Sequence, residues 1–281
     1  MKVVRTVEAV RAELAPRREA AVIGLVPTMG ALHDGHRSLL RAARQAVDAV
    51  VVSLFVNPLQ FGPQEDFSAY PRGESADLAT CEQECADVVF APRAGEMAME
   101  SGVTTVTVAG LSEIVEGAAR PAHFRGVCTV VAKLLNIVRP DLLFLGQKDA
   151  QQNAVIARLI EDLSYGVSIT VCPTVRESDG LALSSRNAYL SSSQRAAATV
   201  LYRALVAGRE RIEAGAAPEE AERAMQELLA AQRGVEPDYA RAVDPHSFQA
   251  PADEGPVLLV VAARVGGARL IDNLTAHPEP G

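Results

Sequence analysis

His33 and His36 stand three residues apart in the run PTMGALHDGHRSLL (27–40). Residues at that spacing share one face of a helix. The run follows an apolar stretch and passes into helical periodicity, so the pair belongs to a helix start. Backbone N–H groups and the positive dipole end attract phosphate there, and each imidazole can add a donor. Gly30 and Gly35 let the backbone approach a ligand closely. A zinc-protease helix would need histidines four apart with a glutamate between them, whereas this spacing is three with a glycine inside. The chemistry read here is phosphate handling. The plain alternative is a glycine-rich turn carrying two surface histidines.

A second cluster, FLGQKDAQQ (144–152), follows another apolar run and sets Lys148 beside Asp149 at a helix start. A lysine there adds a full charge to the helix dipole and suits a polyphosphate. The alternative is a solvated Lys–Asp pair. Composition favours function, because the chain has only three lysines, Lys2, Lys133 and Lys148, against 24 arginines. A third cluster, VRESDGLALSSRNAYLS (175–191), gathers Ser184, Ser185, Arg186 and Asn187 in one loop. Two hydroxyls, a planar guanidinium and an amide make a good phosphate clamp. The alternative is a serine-rich helix-capping turn, which is how Ser191, Ser192 and Ser193 are read. Asn57 and Gln60 in FVNPLQF (55–61), with His123 and Arg125 in RPAHFRG (120–126), are supporting polar residues. Amides at strand ends can read a hydroxy-carboxylate through several hydrogen bonds. Tyr70 and Asp77 carry weaker signals.

The elements that must position these clusters alternate along the chain. Apolar runs at 20–28, 49–56, 87–92, 141–146 and 167–172 read as buried strands. Helical periodicity fills 6–20, 35–47, 74–86, 125–138 and 149–162, with Thr6 as an N-cap. Strands separated by helices predict an α/β fold, a Rossmann-like parallel sheet with helices on both faces. Ligands of such sheets bind beyond the carboxyl ends of the strands, where all three clusters fall. Past residue 174 the texture changes to Ala/Arg/Glu-rich helices at 192–214 and 218–232 and strands at 237–243, 257–265 and 268–273. The expected organisation is therefore a Rossmann-like domain over 1–174 and a smaller C-terminal α+β domain over 175–281.

Composition excludes several classes. The 281 residues are 48% hydrophobic and 22% charged, which is globular rather than disordered. A formal charge of -8 argues against a nucleic-acid partner. No run approaches the ~18 apolar residues of a membrane span, and the N-terminus lacks the apolar core of a secretory signal. Cys81, Cys85, Cys128 and Cys172 are too few and scattered for a disulfide scaffold, and Cys81 with Cys85 lacks the second pair that a zinc finger needs. No protein-held metal is expected, and the expected setting is a reducing cytoplasm. No Walker P-loop, G-x-G-x-x-G fingerprint or G-x-S-x-G elbow is present.

These motifs match a known set. His33-Asp34-Gly35-His36 resembles the HxGH signature of the nucleotidyltransferase superfamily, shared with class I aminoacyl-tRNA synthetases. Ser184-Ser185-Arg186-Asn187 resembles that superfamily's KMSKS-type loop. The ordered set PTMGALHDGH (27–36), FVNPLQF (55–61), YPR (70–72), EGAARPAHFRGV (116–127), GQKDAQQ (146–152), DGLALSSRNAYL (179–190) and RLIDN (269–273) closely resembles the pantothenate synthetase family. One departure is visible: after Ala91-Pro92 the family usually has Met-Tyr-Pro, and this chain has Met97-Ala98-Met99.

The resemblance implies an ATP-dependent ligase that activates pantoate as pantoyl adenylate, releases pyrophosphate, and passes the acyl group to β-alanine with release of AMP. It implies phosphate contacts for His33 and His36, with His36 the usual proton donor, and a triphosphate grip by Lys148, Ser184, Ser185 and Arg186. It places ATP against Met29, Gly30, Ala31, Leu32, Asp34, Gly35, Gln147 and Leu183 as well. Met29 and Val175 would flank the nucleotide, and Gly146 with Asp149 would contact its ribose. Gln60 and Gln152 would hold pantoate, assisted by Asn57 and His123, with Gln60 also meeting β-alanine. Mg²⁺ would arrive with ATP, and a homodimer is implied. The competing readings are a simple nucleotidyltransferase, a non-catalytic nucleotide-binding module, and a tRNA synthetase fragment. The last lacks a basic anticodon-binding domain.

Overall fold

The structure, a computed structural model, describes residues 1–278 except Gln64, Glu100 and Asp253. The chain forms two compact units, one of Met1–Gly146 with Val155–Pro173, the other of Gln147–Ala154 with Thr174 onward. The segment Gln147–Ala154, which the sequence pattern assigns to the first domain, packs with the second unit.

The first unit holds strands β1 (Lys2–Val4), β2 (Ile23–Thr28), β3 (Ala49–Leu54), β4 (Val88–Phe90), β5 (Leu142–Gly146) and β6 (Ser168–Cys172). They form one sheet in the order β1-β4-β3-β2-β5-β6, with every pairing parallel. The run AVVVSL shows why β3 sits inside. Its residues Ala49–Ser53 are all buried, as expected for a parallel strand covered on both faces. Alternate side chains divide between two cores. Ile23, Leu25, Val51, Leu143 and Leu145 join one cluster, while Val26, Val50, Val52 and Phe144 join another. Helices α1 (Val7–Leu14) and α6 (His123–Val138) supply the first cluster, and α2 (Asp34–Ala46) and α3 (Glu74–Gln83) the second. Helices therefore cover both faces. Short helices α4 (Ala94–Met97) and α5 (Glu116–Ala119) complete the connections. The departure from the family pattern is absorbed locally: Met97 and Met99 are buried, and Ala98 ends α4 in a left-handed conformation.

The strand order matters for the site. The chain runs outward from β2 through β3 to β4, then returns to β5 on the other side of β2. The carboxyl ends of β2 and β5 are thus neighbours at a reversal of strand order, the place where open α/β sheets bind ligands. Helix α7 (Ala150–Asp162) follows β5 after a 3₁₀ turn at Gln147–Asp149.

The second unit holds helices α8 (Ser192–Ala198), α9 (Val200–Glu213) and α10 (Pro218–Ala231) and strands β7 (Val235–Val243), β8 (Val257–Val265) and β9 (Ala268–Ala276). The strands form an antiparallel sheet with β8 in the middle. Its core is built from Leu201, Leu205 and Ile212 of α9, Met225 and Leu229 of α10, and Leu259, Val261 and Ala263 of β8.

Several boundaries differ from the sequence expectation for identifiable reasons. The helix expected over 6–20 stops at Leu14 and continues as a 3₁₀ turn at Ala15–Arg17. Pro16 has no N–H to extend an α-helix. Thr6 does cap it, accepting from the Ala9 N–H. The helix expected over 192–214 is broken at Thr199, whose hydroxyl donates to the Ala196 carbonyl. Strand β1 has no counterpart in the sequence pattern, because three residues show no periodicity; it exists by pairing with β4. Helix α6 begins at His123 rather than 125. No helix among the described residues is long and apolar enough to cross a membrane.

Candidate active site

In the first unit, the turn after β2 is pinned from below. The Thr28 hydroxyl donates to the Ser53 carbonyl at 2.8 Å and accepts from the Gly30 N–H at 3.2 Å. The carboxylate of Asp77, on α3, accepts from the Ala31 N–H at 3.0 Å and the Leu32 N–H at 2.8 Å. Asp77 is 5% exposed. Gly30 has φ +83°, and a Cβ there would stand 2.8 Å from an Asp77 carboxylate oxygen. The turn thus requires glycine on two counts.

His33 is the N-cap of α2 and His36 its third residue, joined in a reciprocal capping box. His33 Nδ1 accepts from the Gly35 N–H at 3.2 Å, and His36 Nδ1 accepts from the His33 N–H at 3.2 Å. A backbone N–H can only donate, so both neutral imidazoles carry their proton on Nε2. The rings lie 4.2 Å apart between centroids. The cap therefore does two jobs: it closes the helix end, and it fixes two imidazole tautomers as Nε2–H donors at a positive helix terminus.

Gln60 lies in a 3₁₀ turn at Pro58–Gln60 after β3. Its side-chain amide donates to the Met29 sulfur at 2.9 Å, tying it to the turn after β2. Asn57 is 1% exposed. Its Nδ2 donates to Gly126 O at 3.0 Å and to Gln60 Oε1 at 3.2 Å, and its Oδ1 accepts from the Leu59 N–H at 3.3 Å. Gly126, on α6, is where this loop meets the helix. A Cβ there would lie 2.3 Å from Leu59 O and 2.6 Å from Gln60 N.

Arg120 braces the same loop. It makes a two-pronged pair with Glu65 at 2.7 and 2.6 Å, reaches Glu116 at 3.4 Å, and donates to the Gln60 carbonyl at 3.3 Å. Its Nη1 lies 3.2 Å from His123 Nε2, which must accept, so the His123 proton sits on Nδ1 and is donated to Gln60 O at 2.8 Å. Burial, and secondly the Arg120 charge, push the His123 pKa down to about 4. An unfolded histidine has a pKa of ~6.5 and gains a proton while the folded ring stays neutral. The unfolded state then binds more protons. This contribution to stability is full above about pH 6.5 and is lost as pH falls toward about 4. Urea-unfolding midpoints are expected to fall more steeply across that window in the unmodified protein than in His123→Gln. Equal slopes would detach His123 from the acid response.

In the second unit, strand β9 packs against both the Gln147–Asp149 turn and the 3₁₀ turn at Ser185–Tyr189. Asn273 Nδ2 donates to the carbonyls of Gln147 and Lys148 at 2.9 and 2.8 Å, and Gln147 Nε2 donates back to Asn273 Oδ1 at 3.1 Å. Val175 and Leu183 face each other in a tight hairpin, with Leu183 N–H donating to Val175 O at 3.0 Å. Ser184 caps the next turn through the Arg186 N–H at 3.3 Å, and Asn187 Nδ2 holds the Ala182 carbonyl at 3.0 Å. Ser191 caps α8 in a capping box with Gln194, as read from the sequence.

The chain matches the model of the pantoate-beta-alanine ligase family over residues 2–275. The chain belongs to that family. Its relatives include the pantothenate synthetase of Herpetosiphon aurantiacus, 48% identical across 98% of this chain and 99% of that protein. The crystal structure of pantothenate synthetase from Thermus thermophilus superposes with a TM-score of 0.94 at 47% identity, over 99% of this chain and 100% of that one. The pantoate-beta-alanine ligase of Francisella tularensis, solved with β-γ ATP and β-alanine, gives 0.81 at 32% identity, covering 98% and 97%.

In this member of the pantoate-beta-alanine ligase family, the first unit gathers Met29, Gly30, Ala31, Leu32, His33, Asp34, Gly35 and His36 with Gln60, Asn57 and His123. The second gathers Gln147, Lys148 and Asp149 with Val175, Leu183, Ser184, Ser185 and Arg186, and also carries Gln152 in the first turn of α7. Asn57 and His123 act on the Gln60 loop through hydrogen bonds. Arg125, at the start of the helix expected over 125–138, lies in α6 with its carbonyl taken by the Thr129 hydroxyl. Sequence reasoning gives no role to Arg120, Arg176, Asp272 or Asn273, and little weight to Asp77. All lie inside or beside quoted motifs, but their work is done through partners far away in the chain.

Proposed function

We propose that this chain condenses (R)-pantoate with β-alanine in two steps, using ATP and releasing AMP and pyrophosphate. The reaction is that of its family. The observation that carries the reading is the pair of imidazoles whose Nε2–H donors are fixed at the N-terminus of α2, at the reversal of strand order. In the first step a pantoate carboxylate oxygen attacks the α-phosphorus, and the bond to the bridging oxygen breaks as pyrophosphate leaves. In the second, the neutral amine of β-alanine attacks the acyl carbon, the bond to AMP breaks, and the amine loses a proton. Neither step needs a covalent nucleophile from the protein. Both need alignment and stabilisation of charge on phosphate oxygens.

In this reading His33 and His36 donate Nε2–H hydrogen bonds to the phosphates, with His36 meeting the departing charge. Lys148, Ser184, Ser185 and Arg186 hold the triphosphate, and the backbone of Met29–Gly35 lies along the nucleotide. Gly146 and Asp149 meet the ribose, while Gln147, Val175 and Leu183 line its path. Gln60 and Gln152 hold pantoate, with Asn57 and His123 keeping Gln60 in place. The ATP and β-alanine bound by the Francisella tularensis ligase support this assignment. Among the described residues no group of three or more His, Cys, Asp or Glu is placed to hold a metal ion. In this reading Mg²⁺ enters on the nucleotide's phosphates, where it would offset their charge. The same reading gives residues 1–174 nucleotide and pantoate binding, makes 175–281 a lid, and takes the working form as a cytoplasmic homodimer.

The test is product formation. Purified protein with ATP, Mg²⁺ and pantoate is expected to release pyrophosphate, and to form AMP and pantothenate once β-alanine is added. No AMP with all three substrates present would sink the reading. Pyrophosphate without pantothenate would favour a simple nucleotidyltransferase.

A further inference from the structure

The turn that carries Lys148 is held by a strand from the other end of the sequence. Gln147–Asp149 is a single 3₁₀ turn, with few internal hydrogen bonds to fix its direction. Asn273 of β9 grips it from outside, its one NH₂ group spanning the carbonyls of Gln147 and Lys148 and its oxygen taking the Gln147 amide. Both Nδ2 hydrogens of Asn273 are thereby engaged, and the residue is 4% exposed.

Asn273 is itself fixed from both sides. Its N–H donates to Asp272 Oδ1 at 2.8 Å, and its carbonyl accepts from Arg176 Nη2 at 3.1 Å. Arg176 and Asp272 close the frame with a two-pronged pair at 2.6 and 2.9 Å. Arg176 also holds the Gly180 carbonyl at 3.0 Å and stacks 4.4 Å from the Tyr202 ring centroid. A planar guanidinium gripping a carboxylate in this way fixes direction as well as distance. The Asp-Asn of RLIDN therefore ties the Lys148 turn and the 175–183 hairpin to one strand.

We propose that Asn273 is a positioning residue for Lys148, held in its working orientation by the Arg176–Asp272 pair. The proposal rests on the reading of Lys148 as a cation for the triphosphate. A misplacement of about 1 Å in such a group can cost ~10²-fold in rate. Asn273→Ala therefore slows the adenylation step although its side chain touches no reacting atom.

The test is a double-mutant cycle on single-turnover pyrophosphate release, using Asn273→Ala, Lys148→Ala and the pair, with ATP, Mg²⁺ and pantoate. Asn273→Ala is expected to slow release by ~10-fold or more in the unmodified protein and by less than ~2-fold when Lys148 is already alanine. Equal slowing in both backgrounds would show a general structural role and overturn the proposal. Slowing by Lys148→Ala with none by Asn273→Ala overturns the positioning role alone. A normal rate in Lys148→Ala overturns the placement of Lys148 itself, and the positioning role with it. Should Asn273→Ala fail to fold, Arg176→Lys keeps the charge while losing the two-pronged grip, and the same dependence on Lys148 is expected.

Discussion

Replacing Lys148 by alanine is expected to cut the rate of adenylate formation by ~10² or more, the loss typical of a preorganised charge that acts in the transition state. The chain has two other lysines, and both are committed elsewhere. Lys2 pairs with Glu13, and the Lys133 ammonium donates to the Met97 carbonyl. The Lys148 ammonium has no ion-pair partner among the described residues, while the backbone beneath it is held by Asn273. This is the pattern of a side chain kept for something other than stability. Lys148→Ala should consequently melt within a few degrees of the unmodified protein, because the half-buried side chain makes no ion pair among the described residues and acts on Asp272 only through its charge. Rapid-mixing measurement of pyrophosphate release in one turnover decides the matter. A near-normal rate would take Lys148 out of the site. Lys148→Arg is expected to recover only part of the loss, since a planar guanidinium does not replace a compact ammonium.

Gly126→Ala is the second large effect, and its direction is opposite to what a helix alone would give. In an exposed helix interior, alanine is more favourable than glycine by ~1 kcal/mol. At position 126 the added Cβ would lie 2.3 Å from Leu59 O and 2.4 Å from Leu59 C. Those are backbone atoms, so no side-chain rotation relieves the clash. Overpacking of this kind costs ~1–3 kcal/mol or more. The displaced segment carries Gln60 and the Asn57 bond to the Gly126 carbonyl. We expect a melting temperature lower by several degrees and a KM for pantoate raised by ~10-fold, an effect on the scale of a lost buried hydrogen bond. The ATP dependence should change less, since the capping box of His33 and His36 is built on α2. A Gly126→Ala variant as stable as the unmodified protein, with normal pantoate saturation, would contradict this expectation.

The parallel sheet is legible in the string of residues alone, because the runs AVVVSL and LLFLG are apolar throughout and lie between helical periods. The turn between β2 and α2 is legible for the same kind of reason. A proline, two glycines and two histidines in so short a run restrict the local backbone strongly enough that its place between a strand and a helix can be read. Lys148 stands out through its rarity and its place between a strand end and a helix start. Its burial, partners and neighbours do not, since they depend on Asn273, which lies 125 residues further along the chain. Asp77 is nearly invisible for a related reason. An aspartate in the first turn of a helix is ordinary, and only the fold brings the Ala31 and Leu32 N–H groups onto it.

Folding alone settles that a Cβ at Gly126 would meet the backbone of Leu59, how His123 is protonated, and which unit carries Lys148. It moves Gln147–Ala154 out of the Rossmann-like unit into the company of β9. Local propensity and periodicity act over a few residues and can be read from a string. Close backbone approaches, buried ion pairs and fixed tautomers arise between segments that the string keeps apart, so their energies exist only once the chain has folded.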